Sequence, residues 1–262
     1  MIDTHCHLDS PAFDGDREEA LARAHAVGVT DVVIPAVEPA GWQGLVALGA
    51  IHPGVHVALG IHPQALPGMA PASDDLHLAD LEALLARGGA VAVGECGLDG
   101  PSVEAGAPLD RQRAVLRGHL AIARRLRLPV LLHSLRAHDA MLEELAWDGL
   151  PSGGVLHSFS GSAEQVPPFA ALGLHFSFAG PVTYEGARRP LCAARAVAHD
   201  RLLLETDAPD QSPHPHRGTR NEPSRLPLVL GAVALALGAT PGEVDRLTTG
   251  NARRLLRLPP GP

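Results

Sequence analysis

Along the chain, short apolar runs rich in β-branched residues take turns with longer stretches in which apolar positions recur every three or four residues, the marks of strand and helix respectively. The first strand is predicted over Met1–Asp9. Asp16–Val27 reads as a helix stopped at Gly28, Val29–Ala36 as the second strand, Trp42–Ile51 as a helix and His56–Ile61 as the third strand. Leu76–Arg87 is helical up to Gly88-Gly89, and Ala90–Gly94 is a fourth strand that delivers Glu95. The longest helix is predicted from Leu109 to Arg127, with Val115, Leu116, Leu120, Ile122, Ala123 and Leu126 turned inward. Further strands follow at Val130–His133, Gly154–His157, Leu174–Phe178 and Arg201–Asp207, separated by helices over Arg136–Trp147, Ala163–Leu172 and Gly186–Ala198. A polar, proline-rich loop from Ala208 to Pro223 leads to three closing helical stretches, around Ser224–Leu237, Pro241–Leu247 and Asn251–Leu256.

The strands are apolar throughout rather than alternating, which describes parallel strands covered on both faces. Eight of them separated by helices predict an α/β fold, a TIM (β/α)8 barrel, with residues 1–262 forming one domain. The pattern shows no linker, no shift of composition, no repeat beyond the strand-helix unit and no low-complexity segment other than the proline-rich tail.

In such a barrel the C-terminal strand ends form one rim, where active sites of this architecture are built. The metal-ligand residue types collect there. His5 and His7, two apart on an extended strand, project from one face, while Cys6 points the other way. Glu95 ends the fourth strand, His133 the fifth, His157 the sixth and Asp207 the eighth. Four imidazoles and two carboxylates are too many for one tetrahedral ion with an open position, and suit two ions sharing a bridge. We expect His5, His7 and Asp207 on one ion, His133 and His157 on the other, and Glu95 on both. The imidazoles favour zinc, manganese, iron or nickel over calcium, and magnesium also fits where substrate phosphate completes the shell.

Such a pair would lower the pKa of a bound water from about 15.7 toward about 7, with Asp207 placed to accept its proton. Two further carboxylates and a histidine join the candidates. Glu95 and Glu205 are catalytic candidates beside Asp207; Glu205 lies one layer deeper, where a supporting role is equally consistent. His62, at the end of the third strand, either meets substrate phosphate or the leaving group, or packs against Pro63. Arg217, Arg220, Asn221 and Glu222 lie in the loop after the eighth strand, where they would clamp a phosphate or stay solvated. His214 and His216 read as exposed loop residues, and His25, His56, His119 and His199 as surface or packing residues.

Composition narrows the chemistry. All 21 basic residues are arginine, so neither a Schiff-base lysine nor a carbamylated lysine bridge is available, which leaves a carboxylate as the bridge. The net charge of −8 offers no broad attraction for polyanions, so a nucleic acid must be held locally. Two ions would nevertheless attract an anion to the site, which favours a phosphoester, although a polarised carbonyl suits the same centre. Three cysteines without ligand spacing, no basic start with an apolar leader, and no charge-free run of about 18 apolar residues predict a cytoplasmic protein with no membrane span.

The chain resembles the TatD metal-dependent hydrolases, also called TatD deoxyribonucleases, of the amidohydrolase superfamily. The matching stretches are Asp3-Thr4-His5-Cys6-His7-Leu8-Asp9, Gly60-Ile61-His62-Pro63, Val93-Gly94-Glu95-Cys96-Gly97-Leu98-Asp99, Leu128–Ser134, His157-Ser158-Phe159-Ser160-Gly161, Leu204-Glu205-Thr206-Asp207-Ala208-Pro209, Arg220-Asn221-Glu222-Pro223 and Asn251–Leu255. The resemblance implies a TIM barrel, a divalent-metal site and hydrolysis, with exonuclease action on DNA known in the family and D-aminoacyl-tRNA deacylation in some members; the leading expectation is a 3′-5′ exonuclease acting on single-stranded DNA ends. A small-molecule ester, amide or lactone is a further substrate class for such a site, and a non-catalytic scaffold is the alternative the intact ligand set argues against. We expect the protein to act as a monomer. The sequence departs from the family at Gly100-Pro101-Ser102, where aromatic residues are usual, at Arg136, one place later than the family's arginine, and at Thr219, where a lysine is common. With 3% aromatic residues there are few platforms for stacking bases.

Overall fold

The apolar runs pair in parallel, each with the next, in the order β1 (Ile2–Asp3), β2 (Asp31–Pro35), β3 (Val55–Leu59), β4 (Ala90–Asp99), β5 (Val130–Leu135), β6 (Gly154–Leu156), β7 (Leu174–Phe178) and β8 (Leu202–Leu204). This computed structural model describes residues 1–259; the end of the proline-rich tail, residues 260–262, lies outside the described residues. Between and after the strands run α1 (Arg17–Ala26), α2 (Trp42–Ile51), α3 (Asp74–Leu85), α4 (Gly100–Glu104), α5 (Leu109–Leu126), α6 (His138–Asp148), α7 (Val166–Ala171), α8 (Arg188–Ala196), α9 (Leu226–Leu237) and α10 (Pro241–Leu256). The result is the eight-stranded α/β barrel that the alternation predicts.

The seam between the first and last strands closes through three backbone hydrogen bonds: Thr4 N to Leu204 O (3.1 Å), Asp207 N to His5 O (2.9 Å) and His7 N to Ala208 O (2.7 Å). The same backbone that completes the barrel therefore fixes His5, His7 and Asp207 relative to one another. Asp3 reinforces the seam, accepting from Thr206 N (2.9 Å) and Thr206 Oγ1 (2.5 Å).

Inside the barrel, Ile2, Val33, Ala58, Ala92, Leu131, Val155 and Leu203 form one apolar layer, plugged from below by Ala252, Leu256 and Leu258. Outside it, a larger apolar shell joins the strands to the helices. On β5, β6 and β8 the interior residue is followed two positions later by His133, His157 and Glu205. The period of the strand thus carries each polar group onto the top of the apolar plug.

β1 and β8 are shorter than expected, ending at Asp3 and Leu204, so His5, His7 and Asp207 follow the paired strands instead of ending them, and three other elements also depart from the sequence expectation. β4 runs on to Asp99 rather than ending at Gly94, because it keeps pairing with β5 as far as Asp99–Leu135. The last two helical stretches are one continuous helix, α10, opened by a capping box between Thr240 and Glu243. Its Thr248 hydroxyl bonds back to Val244 O (2.9 Å), so the polar Thr248-Thr249-Gly250 segment that reads as a break stays helical. The short helix α4 is unpredicted; Asp99 caps it by accepting from Ser102 N (2.7 Å) and Ser102 Oγ (2.6 Å). His119 packs inside, accepting from Ile61 N (3.0 Å) and donating to Val115 O (2.8 Å), and burial pushes its pKa down to about 4.

Candidate metal centre

Glu95 is the hub of the rim. Its carboxylate is fully buried, and each oxygen faces its own group of imidazoles. Oε2 lies 3.0 Å from His5 Nε2 and 3.5 Å from His7 Nε2. Oε1 lies 2.9 Å from His157 Nε2, 3.0 Å from His62 Nε2 and 3.1 Å from His133 Nδ1. Asp207 stands slightly back, its Oδ1 3.8 and 3.9 Å from the Nε2 atoms of His5 and His7, while its Oδ2 accepts from the Gln211 amide. The two groups touch: the rings of His5 and His157 stack at 3.9 Å. The six expected ligand residues are therefore brought to one place, in the two sets that the strand order suggests.

The donor atoms fit a cation. His5 Nε2 lies 3.3 Å from His7 Nε2, and His133 Nδ1 lies 3.2 Å from His157 Nε2, although two neutral ring nitrogens can share at most one proton. Glu95 Oε2 is buried with no hydrogen-bond donor in bonding geometry. Convergent lone pairs of this kind are offset by a metal ion; among the described residues His5, His7 and Glu95 group closely enough to hold one, and close groups also form at His62-Glu95-His133 and His5-His157-Glu205, in which His62 and Glu205 have supporting contacts.

The partners of each imidazole sort their roles. His157 Nδ1 lies 3.3 Å from Glu205 Oε1, and His133 Nε2 lies 3.0 Å from Asp99 Oδ1. In each case the carboxylate accepts the ring N–H, and in the neutral ring this leaves the other nitrogen's lone pair facing the centre. His62 is the reverse. Its Nδ1 accepts the backbone N–H of Gln64 (3.0 Å), so a neutral ring carries its proton on Nε2 and donates to Glu95. Burial holds the pKa of His62 below the ordinary value, which keeps that neutral donor form. His62 thus lies within the cluster as a donor and not as a lone-pair ligand.

Glu205, read from the sequence as supporting or catalytic, is buried under His157. It accepts from Ser158 N (2.6 Å) and from the Ser177 hydroxyl, and it does not line the cavity. It orients His157. Glu205→Gln, which keeps the shape and removes the charge, is expected to weaken metal binding roughly 10- to 100-fold, measured by titration of the metal-free protein; unchanged affinity would remove this orienting role.

Three residues expected to meet substrate have their side chains outside the metal cavity. Arg220 turns away from the centre to pair with Asp16 (2.5 and 2.7 Å) and lie over Phe13, its guanidinium 4.6 Å from the ring centroid. Asn221 is buried and bonds to the carbonyls of Thr206 and Asp210 (both 2.8 Å), tying the loop after β8 to its own start. Arg217 sits over the Tyr184 ring at 4.6 Å, outside the cavity. Arg23 completes the tether by gripping Glu222 at 2.7 to 3.1 Å, so the loop is tied to α1 through Arg220 and Glu222.

Two residues given no role from the sequence belong to the site. Asp99 orients His133 while capping α4, and its pKa is held below the ordinary range: burial opposes this, but hydrogen bonds from His133 and Ser102 outweigh it. Gln211 links Asp207 to Ser158, accepting from Ser158 Oγ at 2.8 Å.

The cluster opens into a cavity of about 520 Å³. His7, His62, Glu95, His133, His157 and Asp207 form its floor; Leu135, Phe159, Phe178, Pro181, Val182 and Pro190 form apolar walls. Among the described residues no arginine lines it.

A sequence profile described as "TatD related DNase" matches residues 2–257 of this chain. The chain belongs to the TatD family. TatD relatives match it from end to end: the uncharacterized metal-dependent hydrolase YabD of Bacillus subtilis is 34% identical over 98% of this chain and 99% of its own length. A Salmonella typhimurium protein named 3'-5' ssDNA/RNA exonuclease TatD is 34% identical over 98% of this chain and 99% of its own. Among solved structures, the TatD homologue YjjV from Escherichia coli K12 superposes with a TM-score of 0.93 at 35% identity, covering 99% of this chain and 98% of that one. The protein is accordingly a metal-dependent hydrolase of the TatD family.

Proposed function

We propose that this hydrolase is a 3′-5′ exonuclease that removes nucleotides from single-stranded DNA or RNA ends with two divalent ions, zinc, manganese or magnesium, bound across Glu95. The observation that carries the reading is the division of Glu95 between two imidazole groups on the floor of a cavity of about 520 Å³, within the volume range of sites that enclose a small ligand and large enough for one terminal nucleotide. The full-length relative named as an exonuclease supports the choice of substrate.

His5, His7 and Asp207 would hold one ion and His133 and His157 the other, with Glu95 shared. Held there, the ions would make water a nucleophile near neutral pH and neutralise charge on a phosphoryl oxygen. Asp207 Oδ1, free of the Gln211 contact, is the base on the His5 side. His62 Nε2–H, neutral and directed at Glu95, is a hydrogen-bond donor on the other side, where a phosphoryl oxygen would share it, and the leaving oxygen would take its proton from water. The apolar walls exclude water from the scissile bond and take the sugar and base.

The same walls and the lack of a guanidinium in the cavity favour, as a second reading, an uncharged ester: a D-aminoacyl-tRNA or a small acyl ester. Metal-loaded protein given a 5′-labelled single-stranded oligonucleotide, a D-aminoacyl-tRNA and a small acyl ester separates them. We expect a ladder shortened from the 3′ end that chelation abolishes. Ester cleavage without any ladder would overturn the exonuclease reading and establish the second.

A further inference from the structure

Two clefts flank the metal cavity, and their charges are opposite. One, of about 470 Å³, shares His7, His62, Gln64 and Asp210 with the cavity and adds two further carboxylates, Asp9 and Glu38. The other, of about 310 Å³, lies behind the wall formed by the ends of β5 and α8. Consecutive residues divide across that wall: Leu135 and Pro190 line the metal cavity, while Arg136 and Arg189 line the cleft. Both arginines are exposed, and among the described residues neither guanidinium makes a hydrogen bond or an ion pair. That contrasts with Arg23, Arg111, Arg117, Arg125 and Arg220, all of which are paired with carboxylates.

The rest of the cleft suits an anion. It is lined by Arg136–Ala140, the entry and first turn of α6, whose cap residue Ala137 offers no side-chain acceptor to the N–H groups there. His138 lines it too. Its ring packs edge-on against Phe159, a wall residue of the metal cavity, and its Nε2 is buried without a partner. The cleft's one carboxylate, Asp139, is engaged by Gln165 at 3.2 Å.

We propose that this cleft is a phosphate subsite, taking a second phosphodiester of a polynucleotide whose end lies in the metal cavity. The inference rests on the exonuclease reading and adds direction to it: the strand leaves past Arg136 and Arg189, because the carboxylates of the opposite cleft repel it. It also gives Arg136 a use that its position one place late in the sequence conceals.

The test uses the metal-loaded wild type on oligothymidylates, each with one linkage near the 3′ end replaced by an uncharged methylphosphonate. KM is expected to rise about tenfold when one particular linkage next to the scissile one is neutralised, because a charge-assisted hydrogen bond is removed. In Arg136→Ala/Arg189→Ala the charged and neutralised strands should have equal KM, and the slope of log KM against log salt should fall by about 0.7 for each phosphate the arginines no longer neutralise. Equal sensitivity of wild type and variant at every linkage would overturn the subsite while leaving the exonuclease intact. Wild type that shortens no strand would overturn both. The wild-type series reads the subsite without depending on how the variant folds.

Discussion

Glu95→Gln should leave a barrel that binds metal poorly and hydrolyses its substrate about 10³-fold more slowly, since breaking a buried charged pair costs roughly 3–5 kcal/mol and each 1.36 kcal/mol is a factor of ten. The reason is geometric as well as electrostatic. Both oxygens of Glu95 are in use, one for each imidazole group, and glutamine replaces one of them by an NH2 that meets ring nitrogens as a second donor. Metal content by elemental analysis and kcat/KM on the labelled strand check the two halves of the expectation. A variant with full metal content and wild-type kcat/KM would show that Glu95 is not the shared ligand.

The metal-free protein carries the same information in its pH dependence. Burial alone would raise the pKa of Glu95, but the imidazoles of His62, His157 and His5 hold it well below the ordinary value. Its contribution to stability is therefore present above about 4.5 and lost as pH falls through the lowered folded value. His133 and His157 shift upward: burial opposes their charge, and the carboxylates of Glu95, Asp99 and Glu205 outweigh it. Their contribution is present below about 6.5 and lost as pH rises through the folded values. In chelator, the Tm of the wild type should thus be highest in mildly acidic solution and decline on both sides, and Glu95→Gln should flatten both limbs. A wild-type Tm indifferent to pH would contradict this coupling.

What could be read from the sequence was whatever obeys a local period. His5 and His7 share a face because they are two apart, and His133, His157 and Glu205 each follow an apolar interior residue by two, so strand alternation alone lifts them onto the rim. The contacts that were not legible are those made between segments far apart in sequence. Arg220 pairs with Asp16 and Arg23 with Glu222 across about 200 positions, and nothing in the composition of the loop after β8 reveals that Arg220 and Glu222 turn to α1. Asp99 was missed for a different reason. Taken as a residue beyond the fourth strand, it had no register, whereas the extended β4 sets Glu95, Gly97 and Asp99 at intervals of two along the strand beside His133. The signal is the spacing within Glu95-Cys96-Gly97-Leu98-Asp99, which becomes informative once the strand extends past Gly94.

Gly97→Ala is expected to be strongly destabilising. Gly97 pairs with His133 across the β4–β5 ladder, at φ +152°, and a Cβ there would overlap the carbonyl oxygen of His133 and lie 2.9 Å from its N and C atoms. The obstacle is backbone on the neighbouring strand, so no side chain can swing aside, and relief requires β4 to move off β5. Backbone strain of about 1–3 kcal/mol and overpacking of about 1–3 kcal/mol together give roughly 4 kcal/mol. At about 2–4 °C per kcal/mol for a chain of this size, that is a fall in Tm of about 10 °C. The same displacement carries His133 away from Glu95 and Asp99, so metal affinity should fall with it. Gly231→Ala, within α9 and with open space around its Cβ, is the matched control and should raise stability by about 0.5–1 kcal/mol. If Gly97→Ala melted with the wild type and kept its metal, β4 and β5 would be able to part without disturbing the centre, and the close approach of the two strands would not be what holds His133 against Glu95.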